Sequence, residues 1–245
     1  MTSQPDVERE PVPELLRGSW TRSWIRSSDG QIDDTTTVVW VQLRSRMADV
    51  RLRPEVQKLR GRGALSECSI EDLHLLAQSD SSSGYTTCTP IEQTAGGLTA
   101  TAQWFTGEQG VAFQPVSSYP EPGLLSWGED DVMIEQAPSG AYTEQWTRSP
   151  GSSHDLSHTR VEDGSEIFRS GPIAVRVRDR PVPVPKVAPL CDLIADLQGS
   201  NEEKRLAMIE LVDCEFSVAE QSAAGPYLIT ASTLPWLVGD AVEMP

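Results

Sequence analysis

The sequence predicts a mainly β protein of two antiparallel β-barrel units related by an internal repeat, each with a helical insertion. Three observations predict it. Short runs of alternating apolar and polar residues recur along most of the chain, the period-2 signature of half-buried strands. Longer, helix-like spacing interrupts them only at 54–78 and 186–209. Finally, Tyr-Thr-Glu-Gln-Trp-Thr-Arg at 142–148 echoes Trp-Thr-Arg-Ser-Trp-Ile-Arg at 20–26, matching Trp20 to Tyr142, Trp24 to Trp146 and Arg26 to Arg148 at one common offset.

In order, residues 1–13 are polar, acidic and carry three prolines, so they read as a flexible arm. The first strand, 18–27, places Trp20, Arg22, Trp24 and Arg26 on one face and Thr21, Ser23 and Ile25 on the other. Asp29-Gly30 marks a turn. The next strand, 35–43, is dense in β-branched residues, and Thr36, Val38, Trp40 and Gln42 share a face. In the strand 48–53, Ala48, Val50 and Leu52 alternate with Asp49, Arg51 and Arg53. Pro54 ends it. Leu65, Cys68, Leu73, Leu76 and Ala77 then form a helical apolar stripe, and Ser69 with Asp72 has the pattern of a helix start. The Ser-rich run 79–84 reads as a loop, followed by strands at 85–95, 98–106 and 111–114. The break at 115–122 places the division between a first unit, 14–118, and a second, 119–245.

The second unit is expected to hold strands at 123–128, 131–136, 141–148, 164–170 and 173–179, with a polar loop over 149–163. After the extended Arg-Pro-Val-Pro-Val-Pro at 180–185, residues 186–209 read as helix broken near Gly199, with a second segment starting at Asn201 and Lys204. Strands at 212–220 and 226–233 follow. Ala-Asp-Val-Arg-Leu-Arg at 48–53 resembles Ile-Ala-Val-Arg-Val-Arg at 173–178, and each leads through a proline into helix and then two more strands.

Charge narrows the partners. With 36 acidic against 20 basic residues, the formal net charge is −16, which repels nucleic acid and anionic membrane surfaces. The start of the chain lacks a basic, apolar leader, and no apolar run is long enough to span a bilayer, so a cytoplasmic location is expected. Cys68, Cys88, Cys191 and Cys214 are too scattered for a zinc or redox motif and read as small core residues. His154 and His158 have ligand-like spacing but sit in loop-like sequence. Gly128-Glu129-Asp130-Asp131 reads as a hairpin turn rather than a cation site. Neither a metal nor a cofactor is expected, since no Walker, dinucleotide or Gly-x-Ser-x-Gly motif is present.

Gly18-Ser19-Trp20 at the head of the first strand resembles the Gly-x-Trp of the calycin superfamily, the lipocalins and fatty-acid-binding proteins. In that superfamily the Trp plugs one end of a barrel and an Arg stacks across it. A longer set (20–25, 34–42, 48–52, 142–148, 177–180, 213–217 and 232–236) resembles a fungal and bacterial family of about this length, without an assigned family-wide activity, whose members carry two calycin-like units. The resemblance covers about 14–240 and implies the fold; it carries no catalytic residues.

The chemistry rests on which face turns inward. Arg22, Trp24, Arg26, Trp40, Arg51, Trp146 and Arg176 are the candidate ligand-binding residues: indole walls suit an apolar body and a guanidinium suits a carboxylate. The competing reading makes the tryptophans core and the arginines stacked or paired with Asp33, Asp49, Glu135, Glu144 or Glu215. Trp20 reads as the plug. Tyr142, Glu144 and Arg148 share a face and are the candidate acid/base set; the competing reading is a cross-strand Glu–Arg pair. The function expected is lipocalin-like binding of a small amphipathic or acidic organic molecule. The alternatives are a cofactor-independent isomerase, cyclase or dehydratase in the same cavity, and a protein-interaction module without ligand.

Overall fold

The computed structural model describes residues 10–107, 110–117, 120–128, 131–222 and 225–244. One antiparallel sheet contains β1 (Gly18–Ser27), β2 (Ile32–Asp33), β3 (Thr37–Gln42), β4 (Arg46–Leu52), β5 (Ser82–Cys88), β6 (Glu92–Thr94), β7 (Gly97–Thr106), β8 (Gly123–Trp127), β9 (Val132–Gln136) and β10 (Tyr142–Arg148). A second contains β11 (Leu156–Arg160), β12 (Glu166–Ser170), β13 (Ile173–Arg178), β14 (Glu215–Gln221), β15 (Tyr227–Ser232) and β16 (Ala241–Val242). Helices α1 (Pro54–Gln57) and α2 (Ile70–Leu76) interrupt the first ladder between β4 and β5. In the second ladder α3 (Leu190–Ala195) and α4 (Asn201–Val212) do so between β13 and β14.

In the first sheet β10 returns to pair with β1, so β1, β3, β4, β5, β7, β8, β9 and β10 close into an eight-stranded antiparallel barrel. The second sheet runs in order from β11 to β16 and stays open and curled. The sheets therefore do not divide at residue 118. β8, β9 and β10 lie beyond it and hydrogen-bond into the first barrel, and the chain changes sheet between Arg148 and Leu156. The echo at 142–148 is corrected in the same way. It is not a strand of a second unit but β10, paired antiparallel with the strand it echoes: Trp20 lies opposite Arg148, Arg22 opposite Trp146 and Ser27 opposite Tyr142. This pairing closes the sheet, and eight strands leave an interior just wide enough for side chains or one small ligand. The likeness of 48–53 to 173–178 does follow the ladders, since β4 and β13 each lead into a helical insertion.

Alternation on β4 explains how the sheets meet. Met47, Asp49 and Arg51 line the barrel interior, whereas Ala48, Val50 and Leu52 face outward. The outward row joins Val175 and Val177 of β13, Phe168 of β12 and Phe216 and Val218 of β14 in one buried core between the sheets. Leu73 and Leu76 of α2 and Met208 and Val212 of α4 complete it. Arg46 of β4 crosses to Glu166 of β12 at 2.8 Å beside this core.

The second helix of each insertion, α2 and α4, starts on a capping box. Ser69 Oγ accepts from the Asp72 amide and Asp72 accepts from the Ser69 amide, as the sequence predicts. The second box is Ser200 with Glu203, one residue before the expected start at Asn201. The expected loop at 79–84 already contains the start of β5, the loop at 149–163 contains β11, and 111–114 contributes only an isolated bridge from Ala112 to Ser82. Residues 1–9 of the expected arm lie outside the described residues; Val12 is buried, and its amide donates to the Arg44 carbonyl. Among the described residues no helix is long and apolar enough to cross a membrane.

Candidate functional site: the barrel interior

One end of the barrel is stoppered. Trp20 is fully buried and its indole N–H donates to the Leu16 carbonyl at 2.9 Å. The Arg148 guanidinium lies 4.2 Å from the Trp20 ring centroid, donates to the carbonyls of Leu15 and Arg17, and pairs with Asp131 at 3.0 Å. Gly18 makes room for it: a Cβ there would lie 3.0 Å from an Arg148 nitrogen, on a backbone with φ of +135°. Arg148 is thus a closing brace rather than a member of an acid/base set, and Trp20 is the plug that its sequence position predicts.

Beyond the plug the interior turns polar. Arg22 projects inward and donates to Glu144 and to Asp33, both at 2.9 Å. Arg51 donates to Asp49 at 2.7 Å and to the same Glu144 oxygen at 3.4 Å. Glu144 of β10 sits directly opposite Glu135 of β9, an unfavourable like-charge pairing. Tyr142 donates its hydroxyl to one Glu135 oxygen and Trp146 its indole N–H to the other, both at 3.1 Å. So Tyr142 serves Glu135, not Glu144, and the expected trio of Tyr142, Glu144 and Arg148 is not assembled. The arginines expected to receive an acidic ligand are instead held by carboxylates of the chain itself.

Above this network lies a cavity of about 60 Å³, open at one side. At about 10–15 Å³ per water it has space for a few waters, or for part of a small organic molecule that enters from the open side. Its apolar wall is Trp40, Trp104, Trp146 and Met47, with Trp40 edge-on to both other indoles at centroid distances of 5.8 and 5.7 Å. Gly123 lets Trp104 lie against the backbone: a Cβ there would fall 2.5 Å from the ring. The polar wall includes Asp49, Arg51, Asp80, Glu135 and Tyr142. Arg51 and Asp80 also line a second recess of about 120 Å³ that leads to Arg22, Asp33 and Arg53.

Burial, then the charge of Glu144, pushes the Glu135 carboxyl up to about 8, against the opposing effect of Arg51. Burial likewise raises Asp49, with Arg51 opposing, and burial followed by the charges of Glu135 and Glu144 raises the Tyr142 hydroxyl. Asp33 moves the other way: burial works to raise it, but hydrogen bonds from Thr36 and Thr35 prevail and hold it well below the usual carboxylate range. Three buried polar atoms at the site have no protein partner among the described residues: Trp40 Nε1, Asp49 Oδ1 and Glu144 Oε2.

The structure therefore gathers Arg22, Trp40, Arg51, Tyr142, Glu144 and Trp146 in the barrel. It separates the others. A β-bulge between Arg22 and Trp24 reverses the alternation of β1, so Ile25 takes the place opposite Glu144 and lines the recess. Trp24 and Arg26 consequently turn outward, the guanidinium 5.2 Å from the indole centroid. Arg176 is in the second sheet, bound to Glu215 at 3.1 Å and Asp163 at 2.7 Å. Trp104, Met47 and Asp80 were not among the expected site residues. Trp104 alone had a legible signal, a large aromatic in an alternating strand. His158 accepts or donates at 3.1 Å to Glu166 rather than facing His154. Glu129 and Asp130 lie outside the described residues. Among the described residues no group of three or more His, Cys, Asp or Glu side chains is placed to hold a metal ion.

No protein-family model, curated protein or solved structure matches the chain.

Proposed function

We propose that this chain is a lipocalin-like binding protein that takes a small amphipathic organic molecule into the barrel cavity. The observation that carries the reading is the cavity itself: three indoles and several hydrogen-bonding side chains line it together. An apolar wall with a few convergent polar groups is the usual form of a small-molecule site. The Gly18-x-Trp20 start with Arg148 stacked across it supports a calycin-like assignment, and the strong acidity of the chain fits a soluble cytoplasmic protein with no nucleic acid or membrane partner. Titrating the protein with small aromatic compounds should quench the fluorescence of Trp40, Trp104 and Trp146. Ala112, which lines the cavity, offers the control: Ala112→Trp fills the space and should abolish quenching while the circular dichroism spectrum stays native. Equal quenching with the cavity filled would overturn the reading.

A second reading is favoured by one observation. Glu135 faces the cavity with a carboxyl titrating at about 8, the range of a general acid or base at neutral pH, with the Tyr142 hydroxyl against it. A cofactor-independent isomerase or dehydratase would use Glu135 in this way. It would convert a bound compound to product, and Glu135→Gln would stop conversion while binding persisted. Recovery of every bound compound unchanged would exclude it.

A further inference from the structure

We propose that the cavity selects an organic cation, an ammonium or amidinium group on a small apolar body, paired with Glu135 and seated against the indoles of Trp40, Trp104 and Trp146. This rests on the binding reading above and adds the charge of the ligand to it.

Four observations support a cation. First, the guanidiniums are already engaged. Arg22 holds Glu144 and Asp33, and Arg51 holds Asp49 and Glu144, so an entering anion would have to displace carboxylates fixed to the barrel strands. Second, acids outnumber bases around the space. Asp49 on β4, Asp80 before β5, Glu135 on β9, Glu144 on β10 and Asp33 on β2 outnumber Arg22 on β1, Arg51 on β4 and Arg53 just after β4. Third, the two Glu135 oxygens accept hydrogen bonds from the neutral donors Tyr142 and Trp146, and Arg51 acts on its charge without a hydrogen bond to it among the described residues. One further carboxylate oxygen in the cavity lining, Asp49 Oδ1, is buried with no hydrogen-bond donor among the described residues. An N–H-bearing cation supplies donors to such acceptors. Fourth, the lining includes the indoles of Trp40, Trp104 and Trp146, and indole rings attract cations most strongly where water is excluded.

The same arrangement couples binding to protons. With its carboxyl titrating at about 8, Glu135 is protonated in the empty site at neutral pH. A cation beside it takes over the role of that proton, which leaves to solvent, so affinity climbs as pH rises toward 8 and levels off above it.

Isothermal titration calorimetry with benzylammonium, benzyl alcohol and benzoate, matched in size and differing in charge, tests this on the intact chain. Benzylammonium should bind at least about tenfold more tightly than benzyl alcohol at pH 7, with benzoate weakest. Its affinity should rise by about fiftyfold between pH 6 and 8 with measurable proton release. In Glu135→Gln, benzylammonium should fall to the affinity of benzyl alcohol and lose its pH dependence, while the alcohol binds as before. Benzyl alcohol binding as well as benzylammonium, or benzoate binding best, overturns the cation assignment and leaves the binding reading standing. Absence of binding by all three, in a protein whose fluorescence no aromatic compound quenches, overturns both.

Discussion

In the barrel, Arg51 of β4 and Arg22 of β1 converge on Glu144; in the open sheet, Arg176 of β13, on the strand that resembles β4, meets Glu215 of β14. The pairs differ in their surroundings. The second sheet does not close, and Ile167, Ala174, Ala219, Tyr227, Ile229 and Val242 form a buried apolar cluster on it. Arg176 keeps 26% of its side chain exposed and holds Asp163 as a second partner. The closed barrel buries Arg22 to 3% exposure and sets a second acid, Glu135, directly opposite the first. Closure thus turns an arginine–glutamate pair from a rim contact into part of an enclosed electrostatic network, and leaves a cavity beside it.

The largest expected effect separates the two pairs. Glu144→Ala strands Arg22 in the barrel with Asp33 as its one remaining carboxylate in that network, and should cost about 3–5 kcal/mol in urea unfolding. Glu215→Ala should cost about 1–2 kcal/mol, because Arg176 keeps Asp163 and access to water. Equal losses would show that closure does not distinguish them.

A smaller effect isolates the second acid. Glu135 is raised from an ordinary 4.5 to about 8. Below about pH 4.5 folded and unfolded chains both hold its proton. Between there and 8 only the unfolded chain releases it, so stability declines across that window and levels off above it. Glu135→Gln removes this decline and should be more stable than the parent at pH 8 by about 4 kcal/mol, with little difference at pH 4.5. A parallel pH profile in the two proteins would mean that Glu135 is ionised in the folded barrel.

The smallest effect tests the bulge. Trp24→Ala should cost about 1 kcal/mol or less in thermal or urea unfolding and leave ligand quenching intact, because the side chain lies outside the barrel and is only partly buried. Trp20→Ala, two residues inside the bulge, should cost about 3–5 kcal/mol. Comparable losses would place Trp24 in the core after all.

These contrasts also mark what the sequence makes legible. Strand-forming alternation at β1, β3, β4 and β10, the Ser69–Asp72 cap and the plug at Trp20 all follow from local rules that act within a few residues. Register does not. One bulge at Ser23 moved Trp24 and Arg26 to the outer surface, and nothing in Arg-Ser-Trp announces it. The echo at 142–148 was legible as a likeness but not as a contact, since alternation alone does not say whether two similar strands belong to separate units or lie side by side. The acids of the site were visible individually as Asp49, Glu135 and Glu144. That two of them face each other across β9 and β10 is a property of the hairpin between them.

The pairing of β1 with β10 has a consequence for synthesis. The strand that leaves the ribosome early must wait for a partner more than a hundred residues later, as the Arg22–Glu144 separation of 122 positions shows. Until Arg148 emerges, β1 presents an unpaired edge and Trp20 lacks the guanidinium that covers it. Contacts of such long sequence separation slow folding and lengthen the exposure of apolar edges. Nascent chains arrested before β10 should therefore be the form most dependent on chaperones, and those arrested just beyond it the first to resist proteolysis.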